Sequence, residues 1–321
     1  MTGGGKGGIM DEREGKVRMR AGELLGATVD NCESPLTVLA SPAWRGVEGA
    51  VWRASAGGRS VIVKHYHPDT AFYVDPSAAI AAARQAAAAG AGPMVLAEWP
   101  ADGMFAMEDL HQGWRAGGLQ DNACATTRAN IIAAKKAIQS GPALGRAGDI
   151  FADIRRLHDH ARDLKSALLP KNTGAFLDFA DRAEAALSAL GADRVPCHRD
   201  GNTANLMVGP DKAVKLLDYD MAADSDPYED AGTYLMEMHE REPEARAGFE
   251  EWFGRFDEGL FQRAMTYGIL DDLRWGLIAT GLATRSDRPT LEFAKYASWR
   301  YLRFEQNAQR SLAGDRLRTL R

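Results

Sequence analysis

Apolar and polar positions follow two rhythms along this chain. Up to about residue 107 the apolar residues come in short runs separated by turn residues. Pro35 to Ala40 reads as a strand, followed by a glycine-bearing turn, Trp44-Arg45-Gly46-Val47-Glu48-Gly49. Ala50 to Ala54 and Ser60 to Tyr66 face each other across Gly57-Gly58, which predicts a hairpin. Met94 to Glu98 and Met104 to Met107 add two short strands. Between them, Ser77 to Ala89 is alanine-rich, follows Asp75-Pro76 and ends before Gly90 and Gly92, the punctuation of a helix.

From about residue 120 the spacing becomes helical. Asn122 to Gln139, Ala147 to Arg162 and Gly174 to Leu190 carry it. A dense loop from Val195 to Asn205 interrupts. Leu206 to Val208 and Ala213 to Leu217 then flank Gly209-Pro210-Asp211 as a second hairpin, and Tyr228 to Gln309 reads as further helices. No internal repeat is visible. The pattern predicts an α+β chain of two lobes: a small antiparallel sheet with one helix over residues 21–109, a linker near 107–112, and a mainly helical lobe over 110–321. Residues 1–20 are rich in glycine and charge and read as a disordered tail, with Met10 as an alternative start.

Composition narrows the function. The chain has 321 residues, 45% hydrophobic and 26% charged, enough for a sizeable core. A net charge of −5 disfavours a nucleic-acid partner, because nothing global offsets phosphate repulsion. Cys32, Cys124 and Cys197 stand far apart, without a disulfide framework. No apolar run reaches the ~20 residues of a membrane span, and the N-terminus lacks the apolar segment of a secretory signal. These features together predict a cytoplasmic protein.

The candidate chemistry sits in Cys197-His198-Arg199-Asp200-Gly201-Asn202-Thr203-Ala204-Asn205, followed by Lys215-Leu216-Leu217-Asp218-Tyr219-Asp220. Alone, His-x-Asp is better explained by a surface loop. With Asn205 and Asp218 at opposite ends of a hairpin, the set becomes chemically sensible. Asp200 can orient a substrate hydroxyl and accept its proton, and Asn205 and Asp218 can converge on one divalent cation. Mg²⁺ takes hard oxygen ligands, usually one or two from protein and the rest from phosphates and water. Phosphoryl transfer needs little beyond positioning and charge neutralisation.

This pattern, H-x-D-x4-N followed by an apolar run ending D-[YFW]-[DE], resembles the kinase-like small-molecule phosphotransferases: aminoglycoside phosphotransferases, choline and ethanolamine kinases and homoserine-type kinases. Asp226-Pro227-Tyr228-Glu229-Asp230 and Ile154-Arg155-Arg156-Leu157-His158 extend the likeness, which spans about residues 35 to 305. The resemblance implies a bilobal protein-kinase-like fold with ATP and Mg²⁺ between the lobes. It implies Lys64 on the phosphates, Gly46 and Gly49 in the phosphate turn, Glu108 and Leu110 at the adenine, Asp200 as the catalytic base, and Asn205 and Asp218 on the metal. His198 is expected to brace the catalytic loop.

One departure stands out. The family's lysine usually pairs with a glutamate on the following helix, whereas no acidic residue lies between Asp75 and Glu98. Asp75, Asp218 or solvent is then expected to meet Lys64. For the acceptor, Glu237, His239, Glu240 and Glu242 crowd one predicted helix, and Trp252, Phe253, Phe256, Phe261, Tyr267, Trp275, Tyr296, Trp299, Tyr301 and Phe304 follow. Carboxylates with aromatic faces suit a cationic amino alcohol, although aromatics at helical spacing are also what a core requires. The resulting expectation is a small-molecule kinase for choline or ethanolamine. The alternatives are a non-catalytic kinase-like nucleotide binder and an aminoglycoside phosphotransferase.

Overall fold

The computed structural model describes residues 7–35, 47–288 and 292–320. The expected strand from Pro35 to Ala40 and the turn glycine Gly46 lie almost wholly outside them.

The chain opens with helix α1 (Gly7–Leu25), where the sequence predicts a disordered tail. Its stabilisation is readable afterwards. Val17, Ala21 and Leu25 recur every fourth residue and are buried, and Glu14 pairs with Arg18 one turn on. The helix lies against strands β2 (Gly49–Ala56) and β3 (Arg59–Tyr66), sharing a small core with Trp52, Val61 and Val63. Arg20 fixes its far side to Asp102 at 2.7 Å.

Strand β1 (Asn31–Glu33), β2, β3, β4 (Val95–Trp99) and β5 (Met104–Glu108) form an antiparallel sheet in the order β1-β2-β3-β5-β4. Lys64 lies opposite Val51 and Phe105, in the middle of three strands. Helix α2 (Pro76–Ala88) has Asp75 as its N-cap, the carboxylate accepting from Ser77 N and Ala78 N. Asp75 is therefore engaged away from Lys64.

The second half is helical: α3 (Leu119–Asn122), α4 (Ala125–Gln139), α5 (Ile150–Asp163), α6 (Thr173–Ser188), α7 (Pro227–Met238), α8 (Glu242–Phe253), α9 (Glu258–Arg285) and α10 (Phe293–Ala313). Short strands carry the site across it. The pair β8 (Leu206–Val208) and β9 (Val214–Leu216) forms the expected hairpin, with β6 (Arg115–Ala116) on its edge, while β7 (Val195–Cys197) pairs with β10 (Ala223–Ser225).

Helix α9 is buried along most of its length and packs against α5, α7 and α10. Its approach to α7 is very close. A methyl group at Gly232 would stand 1.9 Å from the Ala264 carbonyl oxygen, and one at Gly201 would stand 2.1 Å from that of Thr233. Among the described residues no helix is long and apolar enough to cross a membrane.

Candidate active site

Asp200 follows β7 in a loop held from several sides. Its Oδ1 accepts from Asn202 N and its Oδ2 from the Asn205 amide, both at 2.8 Å. Its carbonyl accepts from Lys135 of α4 at 3.1 Å. The same ammonium reaches Asp230 at 2.8 Å, and Asp230 accepts from Arg199 N at 3.1 Å. The second acid of the Asp-Pro-x-x-Asp stretch thus fastens the loop that carries Asp200. The first, Asp226, caps α7 and accepts from Arg263 and Tyr267.

His198 bridges two loops: Nδ1 lies 2.9 Å from the Asp200 carbonyl and Nε2 lies 2.9 Å from that of Leu217, the residue before Asp218. Arg199 and Asp218 both adopt left-handed backbone conformations, with φ of 60° and 64°. Such conformations cost energy in non-glycine residues and persist where the surroundings hold them. At Arg199 the hold is visible, because its buried guanidinium pairs with Glu229 and Asp153.

Lys64 crosses the cleft to this block. Its Nζ lies 2.8 Å from Asp218 Oδ1 and 2.7 Å from Asp220 Oδ2, with the Tyr66 ring 4.7 Å below. Burial opposes its charge, but Asp218 and Asp220 outweigh burial and raise its pKa. Burial likewise works against the Asp218 carboxylate, and Lys64 keeps its pKa below the ordinary value. Asp220 is pushed up to about 7 by burial and then by Asp218. The expectation that Asp218 could meet Lys64 in place of a helix glutamate agrees with this geometry; Asp220, the second and closer partner, was not foreseen.

Glu48, just before β2, was also missed. Its buried carboxylate accepts from Tyr73 at 3.0 Å and lies with Asp218 and Asp220 in a group whose oxygens fall within 4.8 Å of one another. These are hard oxygen donors of the kind a divalent cation takes. Only long-range packing brings Glu48 there, so no local motif marks it. Asn205 turns its amide N–H toward Asp200 instead.

A cavity of about 440 Å³ opens between the sheet and this block, lined by Lys64, Glu108, Leu110, Asn205 and Asp218 among others. The Glu108 carboxylate is turned aside, accepting from Met94 N at 2.8 Å. Gly49 is the first residue of β2. A methyl group there would stand 2.9 Å from the His65 carbonyl oxygen, so close strand pairing already requires the glycine.

Asp200 is buried, and its pKa is raised to about 7 by burial first and then by the charges of Asp218 and Asp271. A carboxyl group tuned there is poised to take up a proton near neutral pH.

The expected acceptor carboxylates are arranged differently from the sequence reading. Glu237 is on α7, His239 and Glu240 are in the connection, and Glu242 begins α8, so they share no single helix. Glu237 accepts from Arg300 and Arg303, both at 2.6 Å, and despite burial these hold its pKa down at about 2. Glu242 pairs with Arg246 and Arg316. Arg246 is one turn on in α8, whereas Arg300, Arg303 and Arg316 come from late in the chain, out of reach of local reading. Several of the aromatics are core: Trp252, Phe253 and Phe261 cluster with Phe249, and Phe304 packs on Phe176 and Phe179. Trp299 lies beneath Arg300 and Arg303.

A family model described as "Phosphotransferase enzyme family" matches residues 40–264. No curated protein matches this chain. Among solved structures, a choline/ethanolamine kinase family protein from Mesorhizobium loti superposes with a TM-score of 0.75 at 20% identity, covering 95% of this chain and 98% of that one. Choline kinase LicA from Streptococcus pneumoniae gives 0.77 at 17% identity, with 93% and 99% covered. A spectinomycin phosphotransferase solved with ADP and spectinomycin gives 0.63 at 13% identity, with 92% and 98% covered. At these identities the likeness establishes the shared kinase-like fold.

Proposed function

The chain belongs to the phosphotransferase enzyme family, and from that premise we propose that it is an ATP- and Mg²⁺-dependent kinase that phosphorylates a hydroxyl of a small cationic amino alcohol. The observation that carries the reading is the Lys64–Asp218 pair lining one cavity together with Asn205, whose amide orients the Asp200 carboxylate.

In the proposed reaction the acceptor O–H gives its proton to Asp200. The acceptor oxygen bonds the γ-phosphorus as the bond from phosphorus to the ADP oxygen breaks, and ADP leaves with that electron pair. Asn205 and Asn202 keep the Asp200 carboxylate in one orientation. Lys64 neutralises phosphate charge, and the linker backbone at Glu108 and Leu110 receives adenine. Gly49, at the start of β2, and Gly46, outside the described residues, are proposed for the phosphates. Asp218, with Asp220, Glu48 or Asn205 beside it, would hold Mg²⁺, which supplies charge neutralisation at the phosphates. Nucleotide binding by residues 21–109 and acceptor binding by 110–321 belong to the same proposal.

The amino-alcohol acceptor is supported by the two neighbours described as choline or choline/ethanolamine kinases. A non-catalytic nucleotide binder is disfavoured by Asp218 and Asp220, which engage Lys64 where the helix offers no acid. The deciding experiment measures ATP consumption over a panel of amino alcohols, sugars and aminoglycosides. Turnover confined to sugars or aminoglycosides overturns the acceptor class, and absence of all turnover with retained ATP binding overturns the enzyme reading.

A further inference from the structure

Arg288, three residues past the end of α9, reaches from the helical lobe to the turn that precedes β2. Its guanidinium grips Asp69 with two bonds, Nε to Oδ2 at 2.9 Å and Nη2 to Oδ1 at 3.1 Å, while Nη1 donates to the Val47 carbonyl at 2.7 Å. Its own segment sets it in place. Ser286 N donates to the Leu282 carbonyl at the end of α9, and Ser286 Oγ accepts from Arg288 N at 3.3 Å and from Nε at 3.2 Å. The side chains of Arg288 and Asp69 are 16% and 19% exposed, so this pair is shielded from the screening that makes surface pairs weak.

Both groups that the arginine holds support Glu48. Val47 is the residue before it. Asp69 belongs to the one-turn helix Pro68–Thr70, which is tied to Glu48 at both ends. His67 N donates to the Glu48 carbonyl at 2.8 Å, and Tyr73, whose N–H returns to Thr70 O at 3.0 Å, donates its hydroxyl to Glu48 Oε1 at 3.0 Å. Tyr73 also meets the Trp275 ring of α9 edge-on. Glu48 needs such support, because the nearby carboxylates of Asp218 and Asp220 repel it and add to the burial that already opposes its charge. Among the described residues Tyr73 is the one side chain that donates to it, so its place in the cluster depends on how its backbone is held.

Resting on the reading above in which Glu48 joins Asp218 at Mg²⁺, we propose that Arg288 is a positioning residue of the nucleotide site. By fixing Val47 and the Pro68–Thr70 turn together, it keeps the Glu48 carboxylate beside Asp218 and Asp220. The end of α9 thereby sets the small lobe's contribution to the cation site.

The test is calorimetric titration of ATP, with and without Mg²⁺, into wild type, Glu48→Gln, Arg288→Met, Arg288→Lys and the double variant of Glu48→Gln with Arg288→Met. Arg288→Met should weaken binding in Mg²⁺ about ten-fold, the lower end of what losing the partner of a metal ligand costs, and leave metal-free binding nearly unchanged. Arg288→Lys, which cannot span Asp69 and Val47 with one planar fork, should fall between. In the double variant the two losses should not add, because Arg288 acts through Glu48. An Arg288→Met titration that matches wild type, equal weakening with and without Mg²⁺, or additive losses would show that Arg288 at most ties the lobes, and each overturns the inference. Unchanged Mg²⁺-dependent binding in Glu48→Gln overturns it as well; that arm needs no Arg288 variant to fold, and it leaves the kinase reading standing. ATP binding by wild type that does not respond to Mg²⁺ overturns both.

Discussion

The side-chain amide of Asn205 donates to Asp200 Oδ2 at 2.8 Å. With Asn202 N on the other oxygen, each oxygen of the proposed base is held by one donor and keeps a lone pair for the acceptor hydroxyl. We therefore expect Asn205→Ala to lower kcat by about 10- to 100-fold, since the loss is one of orientation and of a buried polar partner. Initial-rate kinetics check this. An unchanged kcat with a raised requirement for Mg²⁺ would instead assign Asn205 to the metal alone.

Asp200 and Asp218 should separate by function. Asp200→Asn is expected to cut kcat by about 10²–10⁴-fold, the usual range for a general base, and to leave ATP affinity nearly intact. Asp218→Ala should lose Mg²⁺-dependent nucleotide binding, because the metal bridges phosphates in the ground state as well. It also leaves Lys64 with one buried partner in place of two. Calorimetric ATP titrations of both variants distinguish the roles; equal affinity losses would contradict them.

Burial raises Asp200 to about 7 from an ordinary 3.8. A base works ionised, so kcat/KM should rise with pH through an acid limb near 7 and then level off. Stability should run the other way. The folded state favours the protonated form, so this group's contribution is complete below its unfolded value and is lost as pH rises through the folded one. Asp200→Asn should remove that downward slope between about pH 4 and 7. Unfolding midpoints across pH, with pH–rate profiles of the wild type, measure both.

Helix α1 buries Val17, Ala21 and Leu25 against the strand pair that carries Lys64. Val17→Asp should destabilise the small lobe by about 2–4 kcal/mol, combining lost apolar burial with an unpaired charge. Thermal unfolding reports it, and ATP affinity should fall in parallel because β3 is part of the same small core.

How much of this could be read in advance depended on sequence distance. His198, Asp200, Asn205 and Asp218 were legible because one loop and one hairpin hold them, and a hairpin is a local object. Glu48 was not, since it comes from the other lobe and carries no motif. Helix α1 was hidden by glycines and charges, although its four-residue apolar spacing was present. The acids at 237, 240 and 242 looked like a binding cluster because the arginines that neutralise Glu237 lie some sixty residues later, at Arg300 and Arg303.

The contacts at Gly201 and Gly232 have a bearing on motion. Where main chain touches main chain, there is no side chain to change rotamer and absorb a shift. The loop that carries Asp200, α7 and the first half of α9 are then expected to move as a single plate, with any opening taken up by the linker near 107–112 and by the strands of the sheet. In hydrogen exchange the amides of residues 229–235 and 264–282 should be among the last to open, with the N-terminal strands exchanging through smaller, earlier openings.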